Sequence, residues 1–463
     1  MMKTQHEPQS LSPQNTWPVL LTTMFASFMN PFMISAVNIG LPDIQEHFNC
    51  SATTLSWISN SFLLANAMVL LPLSKASDIW GRVRFFRIGL YIFTLSTLLA
   101  GLSTNIAMLI TARVIQGAGA ALMSVTAVAI VTQVFPPNKR GVALGLNIGG
   151  VYTGLSLGPF IGGLLTQSGG WRWLFFAAVP LGIVTILFSH FNLKAASQKL
   201  HKHPFDYRGG LVYALAIFMF IYGGGKIKTA AGISMLVAGI TLMVAFFYSQ
   251  SKKEFPILNV SLLKTNKRFT FSNLAALIHY ASTFGVSFLL SLYLQYSKGL
   301  SPGEAGLILV IQPVIMAVTA PLTGRLSDKI DAGILASSGM ALTLVSLLMM
   351  IFIKPDTSIS YISISLAILG LGFGLFTSPN TNAIMSSVQK QHYGIASGIN
   401  ATMRVFGQTL SMMMATIFIS IFLSKESISA QNIGLFVQSM NLYFVSFAVL
   451  CIPGIWFSIK RGN

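Results

Sequence analysis

The chain has 463 residues, 53% of them hydrophobic and only 9% charged, against about 25% charged in a soluble globular protein, so lipid is the solvent for most of it. The formal charge of +18 would suit a nucleic-acid binder, but no nucleic-acid motif accompanies it and the basic residues follow membrane topology. Two cysteines, Cys50 and Cys451, exclude a disulfide framework and zinc spacing and read as unpaired thiols.

Residues 1–16 are polar and read as a disordered cytoplasmic tail, with no cleavable signal peptide after them. Fourteen apolar runs follow, each near the twenty residues that cross a bilayer. The first, 17–39, carries Asn30, Met33 and Asn38. The second, 53–74, leads into "SKASDIWGRVR" at 74–84. After a third run, 86–103, the fourth, 107–132, holds Arg113 and Gln116. The fifth, 141–166, is studded with glycine, and the sixth spans 173–193. A polar stretch separates these from the runs at 209–225 and 229–249, between which stands only "KIKT". The remaining runs are 268–293 with His279, 303–323 with Gln312, 332–353, 359–378, 393–423 with Asn400 and Arg404, and 435–459, before a tail at 460–463.

Lys and Arg favour cytoplasmic loops. With the N-terminus inside, only Arg172, Lys226, Lys228, Lys298, Lys354 and Lys425 fall outside. Arg113 and Arg404 fall within spans, and all the other basic residues lie inside. Both termini are therefore expected in the cytoplasm. The acids sit toward the two aqueous faces, so no carboxylate stands at the depth of Arg113 or Arg404. A charge inside such a run is costly and marks a pairing or a wet cavity.

"GRLSDKID" at 324–331 echoes "SKASDIWGRVR": both follow a span and read small–basic–x–Ser–Asp. Repetition at matching positions of two halves is the pattern of a duplicated transporter. Asp78, Gly81, Arg82, Arg325 and Asp328 are thus expected to form cytoplasmic gating latches; an ordinary tight turn is the plainer alternative. In the fifth run Gly154, Gly158 and Gly162 recur at four-residue steps and form a groove, while Pro159 bends the helix. The groove is read both as close packing against a neighbour and as a hinge and sealed contact between the halves.

"SDIWGR" (77–82), "RVIQGAGAA" (113–121) and "GLSLGPFIGG" (154–163) resemble signature segments of the major facilitator superfamily. "GWRWLFFAAVPLG" (170–182), "FPILNVSLLKTNKRF" (255–269), "LYLQYSKGLSPGEAGLILVIQP" (292–313) and the segment 370–408 resemble its fourteen-helix drug/proton antiporter branch. The resemblance implies an all-α integral membrane protein of 14 transmembrane helices. A six-helix bundle over 17–193 and another over 268–459 would flank a cavity, with cytoplasmic loops and the two extra helices between them at 194–267. The chain departs from the branch where Met33 occupies the position of its first-helix Asp and where Ser74 replaces a loop glycine. Arg113 falls where the family has a cavity-facing arginine related to proton coupling, and Arg404 matches an arginine of its second-last helix. Structural hydrogen bonding to neighbouring helices is the alternative for both.

His279 is the one intramembrane group that titrates near neutral pH, a proton site in place of the missing acid or a satisfied interior histidine. The substrate and proton pathway is expected to contain Asn30, Met33, Arg113, Gln116, His279, Gln312, Asn400 and Arg404. Met29, Met316 and Met403 are placed with Met33 on an adaptable apolar wall. Such a cavity favours anionic, zwitterionic or neutral cargo over cations. The expected function is alternating-access export of small amphipathic compounds across the plasma membrane, coupled to protons, by a monomer without cofactor or metal. The alternatives are an uncoupled or potential-driven exporter or facilitator of an anionic or neutral metabolite or lipid, and a receptor or scaffold that has lost transport. No enzymatic constellation is visible.

Overall fold

The computed structural model describes residues 16–136, 139–193, 204–327, 329–389, 393–423 and 426–461. The order is α1 (Thr16–Phe48), α2 (Ala52–Trp80), α3 (Arg82–Gly101), α4 (Ile106–Val134), α5 (Arg140–Gly169), α6 (Arg172–Phe176), α7 (Ala178–Asn192), α8 (Tyr207–Gly225), α9 (Ala230–Lys252), α10 (Val260–Thr265), α11 (Lys267–Tyr296), α12 (Pro302–Leu309), α13 (Ile311–Leu326), α14 (Ala332–Ile351), α15 (Ile359–Ser386), α16 (Tyr393–Leu423) and α17 (Ile433–Lys460). These give 14 stretches long and apolar enough to cross a membrane.

Proline explains why two crossings are built from two helices. Pro180 and Pro313 cannot donate to the carbonyls of Phe176 and Leu309, the residues at which α6 and α12 end. Polar residues explain why several helices outrun the apolar runs. α1 continues through Asp43, Glu46 and His47 to Phe48, and α2 continues past residue 74 to Trp80. Their backbones stay helical as their side chains reach water, which hydropathy cannot register. Caps fix other ends: Ser51, Asn105 and Ser301 accept from backbone N–H groups, and Glu304 completes a capping box with Ser301. Gly81, at φ 108, joins α2 to α3 in a conformation that glycine adopts without strain.

α1–α7 form one six-span bundle and α11–α17 the other. Fourteen crossings place both chain ends on one side, here called the terminal end. Between the bundles, α2 packs on α16, α5 on α12 and α1 on α11. The inserted hairpin is not peripheral along its whole length: α8 lies against both α2 and α16. The rings of Trp57 and Tyr222 are 5.4 Å apart and those of Phe220 and Phe406 6.1 Å apart, while Lys228 Nζ donates to Ile421 O at 3.0 Å. α9 packs on α8 and leaves Ile233, Val237, Ile240, Val244 and Tyr248 exposed at helical spacing, a lipid-facing stripe.

Asp206 holds the base of the hairpin. Its carboxylate accepts from Gly209 N and Gln250 Nε2 and pairs with Lys253 Nζ at 2.5 Å. Burial works against the charged form, but the Lys253 ammonium and these donors outweigh it and keep the carboxyl below its ordinary range. Cys50 and Cys451 are both buried and free.

Candidate functional site: a cleft between the bundles

The end opposite the termini is closed by polar contacts that cross from one bundle to the other. Ser291 Oγ donates to Asn38 O at 2.8 Å, and Gln295 Nε2 to Ile39 O at 3.0 Å. Asn60 Nδ2 donates to Thr416 Oγ1 at 2.6 Å, and Thr416 Oγ1 to Ser56 Oγ at 2.9 Å. Gln45 Nε2 donates to Ile428 O, and Ala52 N to Glu426 O. In hydrocarbon each of these groups needs such a partner. The seal therefore holds only while the bundles touch.

Below the seal lies a narrow cleft lined by Ile34, Ser35 and Asn38 of α1, Leu155 and Pro159 of α5, Tyr280, Thr283, Phe284 and Ser287 of α11, Leu309, Gln312 and Pro313 of the α12–α13 crossing, Phe373 of α15 and Gln408 of α16. Its cavity volume is about 70 Å³. Aromatic and aliphatic carbon alternates with amide and hydroxyl groups, the wall expected of a small-molecule site. The face that carries Pro159 continues through Tyr152 and Ile148 to Gly145, around whose Cβ position nothing lies within 4 Å, and Ile148 is exposed.

The expected residues divide. Gln312 lines the cleft. Asn400 and Arg404 are half-buried on α16 and stand two turns and one turn before Gln408 at four-residue spacing, on the cleft-facing side. Arg404 lies by the Tyr280 hydroxyl, with Tyr152 of the other bundle and Thr377 in the same cluster. Asn30 is half-buried and donates to Ser124 Oγ of α4 at 3.2 Å.

Arg113 is instead 1% exposed inside the first bundle. Nε donates to Ile58 O at 3.2 Å, Nη1 to Gln116 Oε1 at 2.6 Å, and the guanidinium lies 4.3 Å from the centroid of the Phe62 ring. Gln116 passes the chain on to Thr97 Oγ1 at 2.6 Å. Here the carbonyl and amide acceptors do the work that a carboxylate would do, and neither Arg113 nor Gln116 reaches the cleft. Met33, Met29 and Met316 are likewise fully buried off the wall, and Met403 alone of the four is half-buried. His279 is fully buried in the second bundle, with its ring 4.1 Å from that of Phe376 and 4.7 Å from that of Phe373. Neither ring nitrogen has a hydrogen-bond partner.

The glycine stripe serves packing within one bundle. A Cβ at Gly154 would stand 3.2 Å from Phe28 C, and one at Gly162 would stand 2.8 Å from Ala36 Cα, both in α1. Contact with the other half comes from the neighbouring face, where Pro159 O meets Gly306 and Gly163 meets Pro302 and Gly303. Asp78 pairs with Arg82 at 2.8 Å, and Arg82 Nη1 donates to Ala129 O of α4, so this latch closes on its own bundle. Arg325 is exposed, and Asp328 lies outside the described residues. Tyr280, Phe284, Phe373 and Tyr152 went unnoticed in the sequence, where aromatic residues are abundant and only a helical register against Gln312 and Gln408 would single them out.

The Major Facilitator Superfamily family model matches residues 23–412 and 272–462. The chain is 29% identical to the riboflavin transporter RibZ of Clostridioides difficile (strain 630), covering 95% of this chain and 96% of that protein. It is 30% identical to the multidrug resistance protein Stp of Mycobacterium tuberculosis (strain CDC 1551 / Oshkosh), covering 84% of this chain and 74% of that one. It is 29% identical to the tetracenomycin C resistance and export protein of Streptomyces glaucescens, covering 88% and 76%. Among solved structures, an inward-facing, unoccupied bacterial homolog of the human lysosomal transporter Spinster matches in fold with a TM-score of 0.66 at 16% identity, covering 97% of both chains. Fourteen crossings, two bundles around a cleft and a family match along nearly the whole chain lead to one assignment: the protein is a multi-pass membrane transporter of the Major Facilitator Superfamily.

Proposed function

We propose that this transporter exports small amphipathic, drug-like compounds across the plasma membrane by alternating access. The observation that carries the reading is the cleft, sealed at one end by hydrogen bonds between the bundles, with open space about Gly145 on the α5 flank toward the other. Loop charge supports a cytoplasmic position for both termini, and with the seal at the opposite end this supports an inward-facing arrangement. Cargo enters from the cytoplasm, the bundles rock, and the far-end contacts part. The relatives named for multidrug resistance and for tetracenomycin C export support the direction, and the relative named for riboflavin supplies another cargo to test.

Protons are the proposed driving ion, with His279 as the titrating group. A second reading, export driven by membrane potential or by the cargo's own gradient, draws support from the sealed position of His279. Proteoliposomes given a pH step, or a potential at constant pH, separate them. Proton coupling predicts accumulation of tetracenomycin C or riboflavin after the pH step, reduced at least severalfold in His279→Ala. Accumulation that follows voltage alone supports the second reading. Specific binding with no movement under either gradient contradicts export.

A further inference from the structure

Two arginines stand within the spans, and the structure treats them differently. Arg113 spends its donors on Ile58 O and Gln116 Oε1 and lies on the Phe62 ring, 1% exposed. Arg404 is half-buried, and among the described residues neither a carboxylate nor a carbonyl accepts from it. It bonds the Tyr280 hydroxyl, and Thr377 bonds both Tyr280 and Tyr152 of the other bundle; α11 packs on α16 here, where Gly407 meets Tyr280 and Ala281. A guanidinium always carries its charge and presents five donors in a plane. Holding such a charge at membrane depth with only neutral hydroxyl oxygens as acceptors is costly. The Tyr280 oxygen accepts from Arg404 and its O–H remains a donor, so the cluster holds one fixed positive charge and no negative one.

One turn further along α16, Gln408 opens onto the cleft, where Phe373 and Tyr280 meet edge to face with centroids 5.6 Å apart. Phe284 adds a third ring, and Gln312 and Asn38 add amides. The cleft is narrow, with only about 70 Å³ of its space roomy enough for the centre of a water molecule. The exposed ring surfaces of Phe373, Tyr280 and Phe284 offer stacking and edge contacts to an aromatic cargo once the bundles part.

From this arrangement we infer an anion-binding station at Arg404, which takes the carboxylate, sulfonate or phenolate of a planar aromatic acid while its ring system lies in the cleft against Phe373, Tyr280 and Phe284. The acid oxygens accept from the Arg404 guanidinium and the Tyr280 hydroxyl. Tyr152, the cluster's member from the other bundle, donates across the gap, so occupancy ties the two halves together at the charged end of the cargo. Charge-assisted bonds of this kind are about twice as strong as neutral ones. The inference rests on the export reading for its place in a pathway, but the binding site stands or falls separately.

The test uses two dyes that share a tricyclic xanthene ring and differ in charge: fluorescein, an anion at neutral pH, and rhodamine 6G, a cationic ester. Binding to the full-length protein in nanodiscs is followed by fluorescence anisotropy, and uptake is followed in everted membrane vesicles. Wild type is expected to bind fluorescein roughly tenfold or more tighter than rhodamine 6G. Arg404→Gln is expected to lose about tenfold or more for fluorescein with little change for rhodamine 6G, and Arg404→Lys to recover part of it. Tyr280→Phe, which removes only a hydroxyl, is expected to weaken fluorescein severalfold and covers the case in which Arg404→Gln does not fold. Equal or tighter binding of rhodamine 6G, unchanged fluorescein affinity in Arg404→Gln or, should that variant not fold, in Tyr280→Phe, or no fluorescein binding at about 1 mM overturns the station. Arg404-dependent binding without uptake upholds the station and contradicts export. Uptake of fluorescein that ignores Arg404 contradicts the station and leaves export standing.

Discussion

Arg113 shows how a single charge can be stabilised in lipid without a counter-charge. Its acceptors come from the backbone of α2 and the side chain of Gln116, its face rests on Phe62, and Gln116 is itself held by Thr97. Lysine lacks the planar fork that reaches Ile58 O and Gln116 together. Arg113→Leu leaves the Gln116 amide oxygen without its donor, at a cost of about 1–3 kcal/mol for that buried group, while Ile58 O keeps the Ser61 hydroxyl. A clearly lowered melting temperature in detergent is expected, with cargo affinity unchanged in whatever protein folds. An unaltered melt together with lost cargo binding would put Arg113 in the transport pathway instead. His279 shows the opposite condition, a fully buried imidazole with two idle nitrogens between Phe373 and Phe376.

At the scale of elements, α5 carries two different surfaces about 100° of rotation apart. Its glycine stripe meets α1 backbone to backbone, and its Pro159–Gly163 edge meets α12 of the other bundle. The four-residue spacing made the stripe legible in the sequence, whereas the identity of its partner was not, since spacing selects a face and says nothing of what covers it. Gly154→Leu forces a side chain against Phe28 and Phe32 and should cost about 1–3 kcal/mol or more. Gly145→Ala, with open space around it, should be neutral or stabilising by up to about 1 kcal/mol. Paired thermal melts check both, and equal effects at the two positions would contradict this assignment of faces. The hairpin of α8 and α9 follows the same logic. Its apolar length was plain, but the docking of α8 over the α2–α16 seam depends on Trp57, Phe406 and Ile421, residues far away in sequence.

For the whole molecule, span number and order followed from hydropathy because lipid imposes its thickness on every crossing. The cleft was only partly legible. Gln312 lines it and Asn400 and Arg404 fall on its side of α16, while Arg113, Gln116 and Met33 are packed away from it within the first bundle. Polarity inside a span signals that a residue needs a partner, and neighbouring helices meet that need as readily as a wet cavity does. The far-end seal escaped notice for a similar reason: Ser56, Asn60, Ser291 and Thr416 are ordinary small polar residues, and only their meeting across the bundles gives them a role. That seal is what alternating access must break. With Cys50 and Cys451 replaced by alanine, Ser56→Cys and Thr416→Cys put two thiols where hydroxyls now stand 2.9 Å apart. Transport of tetracenomycin C or riboflavin in vesicles should fall to background when this pair is oxidised and return on reduction, whereas full transport by the cross-linked protein would contradict alternating access through this cleft.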